Sequence, residues 1–277
     1  MTICYMLRRR RILELSGPDR ATLLQGLITN DVNRATPGNA IFAALLTPQG
    51  KILFDFILAN EGESLLIDCE AERADDLLRR LMMYRLRAKV EMKPRDGWGV
   101  AALMDGGATL PEDAIGFVDP RSAGLGSRLL GPAERLDAWA AAEGMEVADD
   151  AAYAARRIAL GIPEGAAEFG SDATLALEGN LDLLNGVDFR KGCYVGQELT
   201  ARTHYRGKVR YRLFPVTLEG EAEPGSEVTM GDKTVGRLLS RAKDSGIARL
   251  RQEDAEAGPF AVGTARLTPR ALPGGGA

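Results

Sequence analysis

One histidine, His204, serves the whole 277-residue chain. A His-rich metal site, or a Ser-His-Asp enzyme with histidines to spare, is excluded unless everything hangs on that ring. Cysteine is scarce as well: Cys4, Cys69 and Cys193 are far apart and odd in number. They make neither a disulfide framework nor a zinc knuckle, and they fit a reducing cytoplasm, which is the expected location. No window approaches the roughly 20 unbroken apolar residues of a bilayer crossing, so no membrane segment is expected. The four arginines Arg8 to Arg11 lead into no long apolar run of the secretory kind. Charge of one sign is not in excess either. The 35 basic and 39 acidic side chains leave a net charge of −4, which argues against a generic polyanion binder.

What is present is a patterned chain long enough for about two domains at roughly 100–200 residues each. Arg11 to Leu15 reads as a strand stopped by Ser16-Gly17-Pro18, and a helix is predicted from Asp19 to about Ile28 with Leu23, Leu24 and Leu27 on one face. Apolar runs at 41–46 and 52–58 flank the turn Pro48-Gln49-Gly50 and predict a hairpin. A strand over 64–68 and a helix over about 73–86 follow, the latter buried through Leu77, Leu78, Leu81 and Met82. Two further helices are predicted near 132–143 and 151–160, then a loop-rich stretch over 161–190. From Val209 the pattern alternates, with Val209, Tyr211 and Leu213 set against Arg210 and Arg212. Strands are also expected near 227–230, 234–239, 247–250 and 261–267. The organisation expected is a mixed α+β body over 1–206, a small β-barrel over 207–270 and a disordered tail over 271–277.

One window departs from the global charge balance. Between Arg190 and Arg212 stand seven cations (Arg190, Lys191, Arg202, Arg206, Lys208, Arg210, Arg212) against the single anion Glu198. Cys193 lies inside it, beside Lys191 and between Gly192 and Gly196. Glycines leave little bulk around the sulfur, and a helix starting at Gln197 would aim its positive end nearby. Cations and a helix N-terminus both favour thiolate, the form that attacks electrophiles and binds soft metals. The alternative for a lone cysteine is a small buried hydrophobe, the reading given to Cys4 and Cys69. Cys4 is expected in a mobile terminus, and His204 as a surface or packing residue and not a catalyst. The basic run, with Tyr205 and Tyr211 interleaved, also admits a solvated strand face or a nucleic-acid contact, although aromatics make up only 6% of the chain.

The string Lys191-Gly192-Cys193-Tyr194-Val195-Gly196-Gln197-Glu198 resembles the K-G-C-Y-x-G-Q-E signature of the YgfZ family, whose mitochondrial relatives are the Iba-type iron–sulfur assembly factors. The opening strings Leu15 to Asp19 and Leu24 to Val32, the turn Leu46 to Lys51, the joint Tyr84 to Val90 and Arg206-Gly207-Lys208 are similar to that family too. The resemblance implies an α+β fold like that of the glycine-cleavage T-protein, with two interleaved subdomains, a C-terminal β-barrel and a folate-binding channel. It implies a role in maintaining [4Fe–4S] enzymes, through which tRNA modification is supported indirectly.

By that resemblance Cys193 and Lys191 are the expected reactive pair, with Cys193 a transient cluster ligand. Glu178, Asp55, Arg87, Gln197 and Arg206 are the expected contacts for tetrahydrofolate or a derivative. Because a cluster commonly needs four thiolates, a partner is required, expected to be an A-type iron–sulfur carrier, with client enzymes beyond it. The alternative activity is a tetrahydrofolate-dependent aminomethyltransferase. Where the T-protein has paired acids, however, this chain reads Phe54-Asp55, and a phenyl ring can neither take a proton nor steady a cationic amine.

Overall fold

The computed structural model describes residues 2–104 and 110–274. In chain order the first strands and helices are β1 (Ile3–Met6), β2 (Arg10–Ser16), α1 (Arg20–Gln25), β3 (Ile41–Leu46), β4 (Ile52–Asn60), β5 (Ser64–Glu70), α2 (Ala74–Arg85), β6 (Glu91–Pro94) and β7 (Trp98–Leu103). After these come β8 (Ile115–Val118), β9 (Ser127–Pro132), α3 (Ala133–Ala142), β10 (Glu146–Ala148), α4 (Asp150–Ala159), α5 (Gly165–Phe169) and α6 (Gln197–Arg206). The chain closes with β11 (Tyr211–Glu219), β12 (Glu227–Met230), β13 (Lys233–Ala242), β14 (Ser245–Arg251), β15 (Phe260–Val262) and β16 (Ala265–Pro269). Two five-stranded sheets form, in the orders β3-β4-β5-β2-β6 and β10-β1-β7-β9-β8, and the last six strands make a closed barrel. The fold class is α+β, as the sequence predicts. No helix among the described residues is long and apolar enough to cross a membrane.

Contacts divide the chain into two compact units that alternate along it. Unit 1 is Met1–Leu45, Phe54–Tyr153 and Asn185–Val195; unit 2 is Leu46–Leu53, Ala154–Leu184 and Gly196–Ala277. In unit 2 the barrel interior is filled by alternate residues, among them Val216, Val228, Leu250 and Leu267, each fully or almost fully buried. Burying each such side chain contributes about 1.5–3 kcal/mol. Leu272 packs against this core, so order runs into the tail expected to be disordered, while residues 275–277 of that tail lie outside the described residues.

In unit 1, Cys4 is the small buried residue expected, although it does not lie in a mobile terminus. It sits on β1, opposite Leu103 of β7 and beside Val147 of β10, and is fully buried with Met6, Leu129 and Leu136. The local signal was weak because β1 is four residues long and is completed by strands distant in sequence. A second difference is Arg212. One reading of the basic run is a solvated strand face, yet Arg212 is buried and paired with Asp182 at 2.6 and 2.9 Å, also donating to Leu177 O at 2.7 Å. A guanidinium that finds a bidentate carboxylate and a carbonyl can leave water.

The centre of unit 1 holds a buried ionic cluster. Asp68 on β5 accepts from Arg10 on β2 at 2.6 Å and from Arg128 on β9 at 2.5 Å. Arg128 reaches Tyr153 Oη at 2.9 Å, and Arg121 meets Asp119 through Nε at 3.0 Å and Nη2 at 2.8 Å. Burial alone would push the Asp119 carboxyl up, but the charges and hydrogen bonds of Arg121, with Arg128, outweigh it and hold the group below its ordinary value. A carboxyl depressed in the native state adds stability above its unfolded value of about 3.9, and that stability is lost as pH falls through the native value. Asp119→Asn should therefore lower the urea unfolding free energy at pH 7 by about 3–5 kcal/mol and flatten the acid limb of the stability profile. An unchanged midpoint in urea would show that the cluster does not hold the unit together.

Candidate functional site

Cys193 is the exposed member of the three cysteines; Cys4 and Cys69 are buried. Burial pushes the Cys4 thiol up to about 11, helped by Asp137, and that of Cys69 up to about 12. The residues from Asp188 to Val195 form a loop held by backbone and side-chain bonds on the turn that follows α1. Asp188 N donates to Thr29 O at 3.0 Å, and Val195 N to Gly26 O at 3.2 Å. Asp188 Oδ1 accepts from the backbone N–H groups of Arg190 and Lys191, folding the loop back before the cysteine.

Lys191 is turned inward. Its Nζ donates to Ile28 O and Asn30 O, both at 2.7 Å, and lies 5.1 Å from the ring centre of Tyr194. Burial pushes its ammonium down to about 8, against the pull of Asp31 and Asp188. The geometry makes Lys191 a tether that sets the loop carrying Cys193. Thr29 and Asn30, which sequence reasoning did not single out, complete the floor. Thr29 Oγ1 donates to Gly186 O at 2.6 Å, and Asn30 Nδ2 donates to Phe42 O at 2.8 Å and Asn185 O at 2.7 Å. Both side chains are buried, and two polar residues inside the apolar run Leu27 to Val32 were the available signal.

In unit 2 the turn Thr47 to Gly50 meets the start of α6. Gly196 caps that helix at φ +83°, and a Cβ there would come within 2.3 Å of Thr47 O, so only glycine fits. The same turn pairs with the segment leading to Glu178: Ile52 N donates to Thr174 O at 2.8 Å and Ala176 N to Gly50 O at 3.1 Å. This arrangement opens a cavity of about 380 Å³ lined by Gly50, Glu178, Thr200, Thr203, Arg210 and Tyr211, among others. That volume is within the range of small-molecule sites. Glu178 is held by Arg249, whose Nη2 donates to Oε2 at 3.0 Å while its guanidinium stacks 3.7 Å from the ring centre of Tyr211.

The other expected folate contacts do not line this cavity. Gln197 and Arg206 are the first and last residues of α6, and neither lines this cavity. Arg87 is exposed beyond the end of α2 in unit 1. Asp55 is buried on β4 in unit 1, where with Phe54, Cys69, Glu70 and Arg73 it borders a space of about 10 Å³, and Arg73 lies 4.3 Å over the Phe54 ring. Among the described residues no group of three or more His, Cys, Asp and Glu side chains could hold a metal ion.

These features define a T-protein-like scaffold carrying a surface cysteine. The fold matches the glycine cleavage aminomethyltransferase T of Bartonella henselae with a TM-score of 0.81, over 98% of this chain and 86% of that one, at 14% identity. Residues 210–273 match the family model of the CAF17 C-terminal β-barrel domain. The human mitochondrial iron–sulfur cluster assembly factor IBA57 is 36% identical over 90% of this chain and 78% of its own length. The mouse protein is equally similar over 94% and 80%. The chain belongs to the IBA57 family of iron–sulfur cluster assembly factors. It spans about half the length of a third relative, the Neurospora crassa homolog, at 36% identity and 54% of that protein.

The expected cytoplasmic location is corrected by these relatives, all of them mitochondrial by name. Free thiols mark a compartment that keeps cysteine reduced, and they do not distinguish the cytosol from another such compartment. The thiol environments give a direct test. Ellman's reagent should titrate one thiol quickly in the native protein and the other two only after unfolding, with the fast phase absent in Cys193→Ser. A fast phase surviving that substitution would place the reactive sulfur elsewhere.

Proposed function

We propose that the protein acts in assembly or repair of [4Fe–4S] enzymes, with Cys193 supplying one sulfur ligand to a cluster in transit. The observation that carries this reading is the exposure of Cys193 on a loop that Lys191 and the 26–30 turn hold fixed. A sulfur presented in one position loses little conformational freedom when it ligates. One thiolate is short of the four a cluster commonly takes. The remaining ligands come from a partner, an A-type carrier, and the cluster then passes to client enzymes. Support for tRNA modification is indirect, through clients of that kind.

A reduced folate occupies the unit 2 cavity in this proposal. Arg249 engages Oε2 of Glu178 and leaves Oε1 to accept from the N–H groups of a pterin, while Thr203 offers a hydroxyl on the α6 wall and Thr200, whose hydroxyl donates to Gly196 O, only an acceptor. The bound folate would supply one-carbon chemistry. The residues here bind and orient it. The aminomethyltransferase reading is weaker, because Asp55 stands beside Phe54 and a space that admits about one water. The nucleic-acid reading loses two of its seven cations, since Lys191 faces carbonyls and Arg212 is buried against Asp182.

The deciding experiment mixes the protein with a cluster-loaded A-type carrier under anaerobic conditions and follows visible absorbance and client activation. Wild type should activate the client, and Cys193→Ser should keep its circular dichroism and folate affinity yet lose activation by at least about tenfold. Full activation by Cys193→Ser would remove this sulfur from the mechanism.

A further inference from the structure

Helix α2 ends in a way that burial does not explain. Its inner face is set by Ala74, Leu77 and Leu81, all buried. Turned away from that face are Met82 and Met83, exposed to 47% and 67%, and then Leu86, exposed to 86%. Residues three and four apart share one side of a helix, so the three side chains form one apolar tip. Leu86 is held there against its own preference. It closes the helix at φ +42° and ψ −107°, a conformation open to glycine and rare for any residue with a side chain. The turn around it is clamped. Ala88 N donates to Arg85 O at 2.7 Å, Lys89 N donates to Asp19 Oδ2 at 2.7 Å, and a Cβ on Gly17 would come within 2.3 Å of Lys89 O. A glycine at position 86 would relieve the strain and give up little packing. A leucine kept strained, fixed and facing solvent points to a task outside the fold.

Charge is segregated along the same helix. From Arg79 to Lys89 the chain carries five cations, Arg79, Arg80, Arg85, Arg87 and Lys89, and no anion. Arg85, Arg87 and Lys89 are exposed and make no side-chain hydrogen bond or ion pair among the described residues. The acids of α2, Asp75 and Asp76, lie in its first turn, where Arg11 and Arg79 engage them. From Asp76 to Met83 is about 10 Å along the helix. The apolar tip is therefore ringed by positive charge that nothing within the fold neutralises.

We propose that Met82, Met83 and Leu86, with Arg85, Arg87 and Lys89 around them, seat the protein on the surface of an anionic bilayer. The apolar side chains enter the boundary between headgroups and acyl chains, and the cations stay among lipid phosphates, as their long stems allow. The contact is peripheral and spans nothing. A protein groove suits this tip less well. A stable protein interface takes about 20–30 residues a side around a buried centre. Three apolar side chains and flexible, unpaired cations offer no fixed pattern for such a partner to match, whereas mobile anionic lipids meet each charge wherever it lies. The proposal is independent of the cluster and folate readings, because α2 carries none of the residues they use.

The test is co-sedimentation of the full chain, at about 0.1 M salt, with vesicles of phosphatidylcholine alone and of phosphatidylcholine and phosphatidylglycerol in equal parts. Wild type should pellet with the mixed vesicles and stay in solution with the neutral ones. Arg85→Gln combined with Lys89→Gln should weaken the association about twentyfold, at roughly fivefold for each cation near an anionic leaflet. Leu86→Gly combined with Met83→Ser should weaken it at least about tenfold. Leu86→Gly alone should leave the thermal midpoint unchanged or raise it, since it removes strain and no buried side chain. A midpoint lowered by several degrees would make Leu86 a packing residue and overturn the proposal. Failure of wild type to pellet with the mixed vesicles overturns it, as does pelleting that both double variants retain, or equal pelleting with neutral vesicles. A Leu86→Gly and Met83→Ser variant that pellets like wild type yet fails to activate a client would assign the tip to a protein partner and overturn the bilayer contact.

Discussion

Asp68 is the residue on which the interior of unit 1 turns. Both its oxygens are engaged, one by Arg10 from the neighbouring strand and the other by Arg128 from the second sheet, all three side chains out of water. Withdrawing such groups from solvent costs several kcal/mol per ion, a penalty offset by close pairing and hydrogen bonds, although Arg128 Nη2 is buried here with no hydrogen-bond partner. Two carboxylates face three guanidiniums here, and the Tyr153 hydroxyl oxygen accepts from both Arg121 and Arg128 at 3.0 and 2.9 Å. An apolar contact could slide by a fraction of a residue. A bonded charge pair cannot, so the cluster fixes the register between the β5 and β9 sheets.

That fixity extends to the cysteine loop. Asp119 and Arg121 flank Pro120, whose carbonyl accepts from Asn185 Nδ2 at 3.0 Å, and Asn185 O in turn accepts from Asn30. Asn30 and its neighbours are the floor on which Lys191 and Val195 are tied. Hydrogen bonds joined by short backbone links therefore connect the buried ions to the residues that carry the exposed sulfur. The contrast among the cysteines follows from position. Cys4 and Cys69 lie on strands whose neighbours exclude water, while Cys193 lies on a loop whose polar demands are met from below, leaving its upper side open.

Much of this was legible in the sequence. The hairpin around Pro48 to Gly50, the helix over 74–85 and the strand-rich end follow from local periodicity and turn chemistry, which act over a few residues. The family strings were legible as strings, and the fold supplies their reason: 24–32 is the floor of the cysteine loop, and 46–51 packs on Gly196. What escaped was non-local. Arg128 reads as an ordinary charged strand residue until Asp68, sixty residues away, is known to face it. Arg212 follows the alternation expected of an exposed position and is overruled by Asp182. Lys191 reads as an activating cation beside a sulfur, and only the carbonyls of a turn some 160 positions earlier show where its charge is directed. Glu178 was placed by resemblance alone; its neighbours Arg249 and Tyr211 belong to barrel strands that no local pattern connects to it.

The alternation of the two units along the chain has a consequence for synthesis. Unit 1 is completed by 185–195, which leave the ribosome only after 154–184 of the other unit. At about 5–20 residues per second, that interval lasts a few seconds. Throughout it the carbonyls of Gly26, Ile28 and Asn30 wait without the N–H and ammonium groups that later cap them. A nascent chain halted there has nearly all of unit 1 and none of its closing segment, a form suited to capture by a chaperone. One halted at the start of the barrel already carries every piece of unit 1, its cysteine included.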